Sequence, residues 1–462
     1  MIRLSRYGAF LNYGVFVTPL VLLVCVRPGL AQTNSARNPV IEKIVAEISP
    51  DSIKHNIEKL VGFHTRHTLS DTLSDTRGIG AARRWIKAEM ERYSKANGGR
   101  MEVSYDESVT PPSQRVNRPT KIVNVVGYLP GAQTQSKDRI YVVSGHYDSR
   151  ASDPMDSASF APGANDDGSG TALVLELSRV MNKYQFDASI VFLAVAGEEQ
   201  GLLGSTHWAQ MAKEKNWTIA GVLNNDIVGN IRGGNGAVDS THVRVFSEGV
   251  PLKETEQEAR LRLNTGGEND SPSRQVARYA KEIAERYVTN FSVEMIYRRD
   301  RYLRGGDHIP FNERGYAAVR FTEMVEDFNH QHQNVREESG TRYGDLPEFV
   351  SVRYCSQVAK VNAAVLASLA LAPATPSNAT IVTSRLEYST TLRWNPNTEL
   401  DVAGYRILVR KTTSPQWERT IDVGNTTQYT VEDASKDNYL LGVRAYDHDG
   451  NESLVAFPRP GR

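Results

Sequence analysis

The sequence predicts an α/β protein: a mainly parallel, doubly wound sheet with a small β-sandwich at the C-terminal end. Three observations carry this. The short apolar runs Ile140–Val143, Ala188–Ala196 and Ala220–Asn225 are nearly unbroken, as strands covered on both faces must be. Stretches of helical periodicity separate them, which implies crossover connections and parallel pairing. After Pro373-Ala374-Thr375-Pro376 the pattern changes to short alternating strands without a helical signal.

The chain has 462 residues, more than one average domain and ample for a large core. Lys and Arg number 54, as do Asp and Glu. That balance argues against a nucleic-acid partner held by a general basic field. Residues 1–31 read as a secretory signal peptide, with Arg3 and Arg6 at a positive start, an apolar run over Val15–Val26, and Gly29-Leu30-Ala31 before a cut. The run is shorter than the roughly 20 residues a spanning helix needs, and Pro19 interrupts it. The expectation is a secreted or periplasmic protein with no membrane span in the mature chain. Cys25 leaves with the leader, so Cys355 has no disulfide partner and is expected as a small core residue beside Val352, Val358 and Val361.

In chain order, helical periodicity runs through Ile53–Leu60 and Ala81–Tyr93. His64-Thr65-Arg66-His67 between them reads as a solvated connection. Lys121–Leu129 alternates as a strand. Ile140–Val143 ends at Ser144-Gly145, and His146 and Asp148 follow. Two residues apart in extended chain, they point to one side, as a metal-ligating imidazole and the carboxylate that fixes its tautomer do. In Asn165-Asp166-Asp167-Gly168-Ser169-Gly170 the glycines let the backbone turn around two carboxylates, and a helix follows over Thr171–Met181. Ala188–Ala196 leads to Glu198-Glu199, and Ala220–Asn225 leads to Asp226. Three strands thus deliver acids or imidazole at their carboxyl ends, the edge where open α/β sheets bind ligands.

Residues 229–273 read as a lid or mobile loop holding one strand, His242–Ser247. Ser271 caps a helix from Pro272 to Tyr287. Asn290–Tyr297 and Ala317–Thr322 are strands, with basic Arg298–Gly306 and Asp307-His308-Ile309-Pro310-Phe311 between them. His330-Gln331-His332 lies in the next loop, and residues 348–371 form the last amphipathic helix. Carboxylates alone favour calcium, whereas imidazoles among them favour zinc, with related metals left open. Glu198-Glu199 permits a division of labour in which one carboxylate binds metal and the other stays free as a base.

The motifs His146-Tyr147-Asp148, Gly163–Gly170, Glu198-Glu199-Gln200-Gly201-Leu202, Asn225-Asp226 and a late His make the chain, from about residue 45 to 370, resemble the co-catalytic di-zinc exopeptidases of metallopeptidase family 28, of the bacterial leucyl-aminopeptidase type. The resemblance implies two zinc ions bridged by Asp166, one completed by His146 and Asp226, the other by Glu199 and His330. The rivals for that last place are His332 and then His308. It also implies Glu198 as general acid/base that takes a proton from a water bridging the ions to give the attacking hydroxide, Asp148 as the group orienting His146, and a cis Asp166–Asp167 peptide bond. Asp307 and His308 match a segment that lines the substrate pocket.

Peptides are therefore the expected substrate, cleaved by an aminopeptidase. The alternatives are a carboxypeptidase, a cyclase of N-terminal glutamine, or an inert binding or adhesion protein on the same fold. Cyclases of this kind use one zinc and lack a His at the position of His146. The expected domains are the signal peptide 1–31, the peptidase 32–372 and a sandwich 373–462. The last resembles fibronectin type III through Trp394, Gly404-Tyr405 and Tyr439 with Val443 and Ala445, and is expected to serve in surface or polymer docking.

Overall fold

The computed structural model describes residues 37–384 and 386–461. The expected leader lies outside them. The chain begins with α1 (Pro39–Ala46), α2 (Pro50–Val61), α3 (Gly78–Ala96), β1 (Glu102–Thr110), β2 (Thr120–Leu129) and β3 (Arg139–His146). It continues through α4 (Gly168–Met181), β4 (Ser189–Val195), α5 (Leu203–Glu214), β5 (Thr218–Asn225) and β6 (His242–Ser247). Then come α6 (Glu256–Thr265), α7 (Pro272–Tyr287), β7 (Ser292–Ile296), α8 (Ile309–Asn312) and β8 (Ala318–Glu323). A hairpin of β9 (Arg336–Glu338) and β10 (Thr341–Tyr343) leads to α9 (Val352–Leu371).

Eight strands form one sheet in the order β1-β2-β4-β3-β5-β8-β6-β7. Its centre, β4-β3-β5-β8, is parallel throughout, and β1, β2 and β6 pair antiparallel towards the edges. β3 has β4 on one side and β5 on the other, so the winding reverses at β3, the switch point where such sheets bind ligands. The β-branched residues Val142, Val143, Val191 and Val222 are buried because helices cover both faces. α2, α4, α7 and α9 pack on one face, and Trp208, Ala209 and Ala212 of α5 pack on the other.

α9 is apolar and long enough to cross a membrane by composition, but it is a core helix, and Cys355 on it is buried as expected. α6 was not foreseen. It sits in the expected loop 229–273, held by a capping box between Thr255 and Glu258, and buries none of its residues. Without an apolar face it leaves no period in the sequence.

The C-terminal strands are β11 (Thr380–Val382), β12 (Thr390–Arg393), β13 (Val402–Lys411), β14 (Arg419–Gly424), β15 (Gln428–Val431), β16 (Tyr439–Asp447) and β17 (Arg459–Gly461). They form a four-stranded sheet, β15-β12-β11-β17, and a three-stranded sheet, β14-β13-β16. Between them lies a core with Trp394, Tyr405, Ile407 and Val443. This region belongs to the same compact unit as the large sheet. Ion pairs join the two: a fully buried one from Arg410 to Asp270 at 2.5 Å, and half-buried ones from Arg444 to Glu282 at 2.9 Å and Arg286 to Glu452 at 3.0 Å.

Candidate active site

His146 is the last residue of β3, and its backbone is fixed on both sides. Its N–H donates to Asp167 Oδ2 at 2.9 Å, and Thr171 Oγ1 donates to its carbonyl at 2.8 Å. Asp167 also accepts from Gly170 N at 3.0 Å, which caps α4, and from Ile227 N at 3.2 Å. One carboxylate thus ties β3, α4 and the end of β5 together. Gly170 has to be glycine: a Cβ there would lie 2.3 Å from the Asn225 carbonyl oxygen and 2.5 Å from the Asp167 carboxylate. The Asp166–Asp167 peptide bond is cis.

Asp148, fully buried, stands 3.5 Å from His146 Nδ1. Its two oxygens accept from Glu198 N at 3.3 Å and Glu199 N at 3.2 Å, and Thr68 Oγ1 donates to it at 3.2 Å. His146 Nδ1 meets the Asp148 backbone carbonyl at 3.2 Å, and the Asp148 carboxylate joins the end of β3 to the turn after β4.

Two groups of side chains converge here and share Asp166: His146, Asp166 and Asp226, then Asp166, Glu199 and His332, each set with its donor atoms within 4.8 Å of one another. His146 Nε2 is 3.2 Å from Asp166 Oδ1 and 3.9 Å from Asp226 Oδ1. His332 Nε2 is 2.9 Å from Asp166 Oδ2 and 3.0 Å from Glu199 Oε1. Glu198 belongs to neither group, but feels the charges of His146 and Asp226 from one and Glu199 from the other.

His330, expected as the last metal ligand, is not in the cluster. Its ring stacks on Phe349 with centroids 3.5 Å apart, and its Nδ1 faces Asp327 at 3.6 Å. His332, two residues on, takes the place; its backbone is left-handed, with φ at 50°. Asp307 and His308, expected at the substrate, have no exposed surface. Ser205 Oγ donates to Asp307 at 2.5 Å, and burial pushes this carboxyl up to about 7. His308 Nε2 meets the Arg299 carbonyl at 2.8 Å, and burial lowers the imidazole to about 4.

The expected solvated loop around residues 64–67 is mostly buried as well, with Arg66 and His67 at 0 % exposure. Arg66 is a bracket: its guanidinium donates to the carbonyls of Leu60, Tyr147, Pro162 and Gly163 and so holds the loop between β3 and α4. Polar residues of this loop pair inward rather than with water, which composition alone does not reveal. Two further residues went unforeseen. Asp345 accepts from the backbone N–H groups of Asn165 at 2.8 Å and Asp166 at 2.6 Å. Arg320, on β8, lies 3.0 Å from Asp226 and 3.1 Å from Asp300. A basic residue inside the apolar run Ala317–Phe321 was the available signal for it.

The residues fit zinc. Ligands at about 2.0–2.2 Å from a tetrahedral ion stand a little over 3 Å apart, which three of the four imidazole–carboxylate distances above approach. His146 Nε2 and Glu199 Oε1 are buried without a hydrogen-bond partner. The field is strongly negative: burial would lower both imidazoles, yet Asp148 and Asp166 hold His146 well above its usual range, and Glu199 and Asp166 hold His332 at about 10. A dication satisfies the same field that draws those protons.

The model of peptidase family M28 matches residues 124–343. A probable zinc metalloprotease of Leptosphaeria maculans is 46% identical over 433 residues, covering 94% of this chain and 100% of the relative. One of Pyrenophora teres f. teres is 45% identical over 422 residues, covering 91% and 87%. The LapA aminopeptidase of Legionella pneumophila shares the fold at a TM-score of 0.51 with 20% identity, over 72% of this chain and 75% of that one. A switch-point cluster of imidazoles and carboxylates on this sheet defines a metal-dependent hydrolase. The chain belongs to peptidase family M28 and is a zinc metalloprotease.

Proposed function

We propose that the protein is an exported aminopeptidase that binds two zinc ions and removes N-terminal residues from peptides. The observation that carries this reading is the pair of donor groups sharing Asp166, with Glu198 left outside both. His146, Asp166 and Asp226 would hold one ion, and Asp166, Glu199 and His332 the other. When bound, zinc supplies Lewis-acid polarisation of the scissile carbonyl and a more acidic attacking water.

Glu198 is the proton carrier in this reading. Burial, with Asp226, Glu199 and Asp307 nearby, pushes its carboxyl well above the ordinary value against the pull of His146, which makes it a stronger base than an exposed glutamate. It takes a proton from the attacking water and returns it to the nitrogen of the leaving amine. Asp148 keeps His146 oriented, and Arg66 and Asp345 keep the Asp166 loop in place.

Export is supported by the composition of residues 1–31 and by the lone cysteine, Cys355, left after cleavage. N-terminal sequencing of protein recovered from outside the producing cell tests it. A fibronectin type III-like assignment of the C-terminal region is supported by its four- and three-stranded sheets and by Trp394 packed on Tyr405 at 5.4 Å.

The reading is tested by zinc content together with aminoacyl-arylamides and N-blocked or C-blocked peptides, with and without chelator. Two zinc ions per chain and chelator-sensitive cleavage only at free N-termini are expected. Cleavage of N-blocked but not C-blocked peptides would make it a carboxypeptidase. Cyclisation of N-terminal glutamine with one zinc would make it a cyclase, and absence of both metal and turnover would make it a binding protein.

A further inference from the structure

We propose that Arg320 is a positioning residue that makes the Asp226 side of the two-ion site the weaker of the two; this rests on the two-zinc reading above. Asp226 has one oxygen, Oδ1, facing His146 Nε2, and at 3.9 Å that is the longest of the four imidazole–carboxylate distances in the cluster. The same Oδ1 is 3.0 Å from Arg320 Nη2, a charge contact without hydrogen-bond alignment. The guanidinium therefore competes for the oxygen that an ion beside His146 would use.

Arg320 cannot swing away. Its Nη1 donates to both oxygens of Asp300, each at 3.1 Å, and to the Gly305 carbonyl at 2.8 Å. The side chain is fully buried, and Gly306 lies close over the pair, where a Cβ would be 3.1 Å from Arg320 Nη1 and 3.2 Å from Asp226 Oδ2. A guanidinium keeps its charge at any working pH, so this is a fixed cation. In a poorly solvated pocket its repulsion of an incoming dication is amplified.

The other side of the cluster is built differently. Glu199 turns Oε1 to His332 at 3.0 Å, while Arg150 approaches the opposite carboxylate oxygen, Oε2, at 3.9 Å and Arg115 donates to the backbone carbonyl at 2.9 Å. Arg150 leaves the metal-facing oxygen free, whereas Arg320 engages it. The Asp166–Glu199–His332 side is accordingly filled first, and the Asp226 side loses its ion first to a chelator.

Calorimetric titration of the metal-free full-length chain with zinc, against a competing chelator, tests this. Wild type should show two steps, the weaker removed by Asp226→Asn. Arg320→Met should tighten the weaker step about tenfold, the scale on which groups around metal ligands act, and leave the stronger step in place. Asp300→Asn leaves the guanidinium less neutralised and should weaken that same step. Opposite shifts from two substitutions at one ion pair cannot come from general loosening of the fold, and Asp300→Asn decides alone if Arg320→Met does not fold. Two wild-type steps of equal affinity, a weaker step that Arg320→Met leaves alone or weakens, or one that Asp300→Asn tightens, would overturn the inference only. Fewer than two steps in wild type would overturn the two-zinc reading beneath it.

Discussion

The cluster is assembled from two kinds of backbone. His146, Glu199 and Asp226 stand at or just past the ends of β3, β4 and β5, neighbours in the sheet whose ladder sets their spacing. Asp166 and His332 stand on loops, one before α4 and the other in the stretch between β8 and β9. The strand-borne residues are placed first by apolar burial and backbone pairing, with the carboxylates of Asp167 and Asp148 tying the strand ends together. The loop-borne residues are placed by buried charge: Arg66 grips four carbonyls, and Asp345 holds the N–H groups of Asn165 and Asp166. A sheet edge starts from a ladder that already sets the spacing and adds carboxylate ties to it, whereas a loop has only its charged anchors.

The largest effect should come from the strand side. Glu198→Gln is expected to keep both zinc ions and lose about 10²–10⁴-fold in kcat, the range for a positioned proton carrier. Metal analysis and initial rates on one preparation check it; a variant that also sheds metal would show Glu198 to be a ligand. Next, the loop side is split by its two imidazoles. His332→Ala should weaken one zinc by at least about 100-fold, because even a partner of a ligand is worth 10–100-fold. His330→Ala should leave metal affinity within a factor of about two. The reverse pattern would mean that the loop re-registers by two residues when it binds metal.

Arg66 tests whether loops really depend on their anchors. Arg66→Met leaves four carbonyls without their donor and should cost about 4 kcal/mol, at roughly 1 kcal/mol for each lost hydrogen bond. Denaturant unfolding of the metal-free chain measures it. An unchanged midpoint would mean that the loop is held by packing alone.

The same contrast decides what could be read from the chain before folding. Apolar runs such as Ile140–Val143 announce buried strands, and the residue after such a run lands at the sheet edge whatever the rest does. His146, Glu198, Glu199 and Asp226 were legible for that reason. His330 and His332 share one loop, and nothing local separates them. The choice is made by Phe349 stacking on one ring and by Asp166 and Glu199 meeting the other. Arg66 and Asp345 were missed because a buried charge in a loop has the composition of a solvated one. Arg320 left a trace, as a charge inside an apolar strand, but its partner Asp300 lies in a stretch that reads only as basic.

Charge anchors should also give way to acid before the sheet does, and the junction with the C-terminal sandwich allows the test away from the metal ligands. Glu452, between β16 and β17, meets Arg286 at 3.0 Å, Arg444 at 3.2 Å and Arg406 at 2.5 Å. Burial opposes its ionisation, but Arg444, Arg286 and Arg406 hold the carboxyl down to about 2, against an ordinary 4.5. A carboxyl depressed on folding stabilises above its unfolded pKa, and that stability drains away as pH falls through the folded one. Between pH 4.5 and 2 wild type should therefore lose up to about 3 kcal/mol through this group, at 1.36 kcal/mol per unit. Glu452→Gln should be less stable than wild type at pH 7 and should lack that share of the acid slope. Urea unfolding of both proteins across this range, with hydrogen exchange followed in β3 and α7, separates the cases. Wild type should open at α7 and the sandwich first as pH falls, with β3 still protected. Equal acid slopes in the two proteins, or exchange that rises in β3 and α7 together, would show the junction to be held by apolar contact, and the contrast between strand and loop would then stop at the active site.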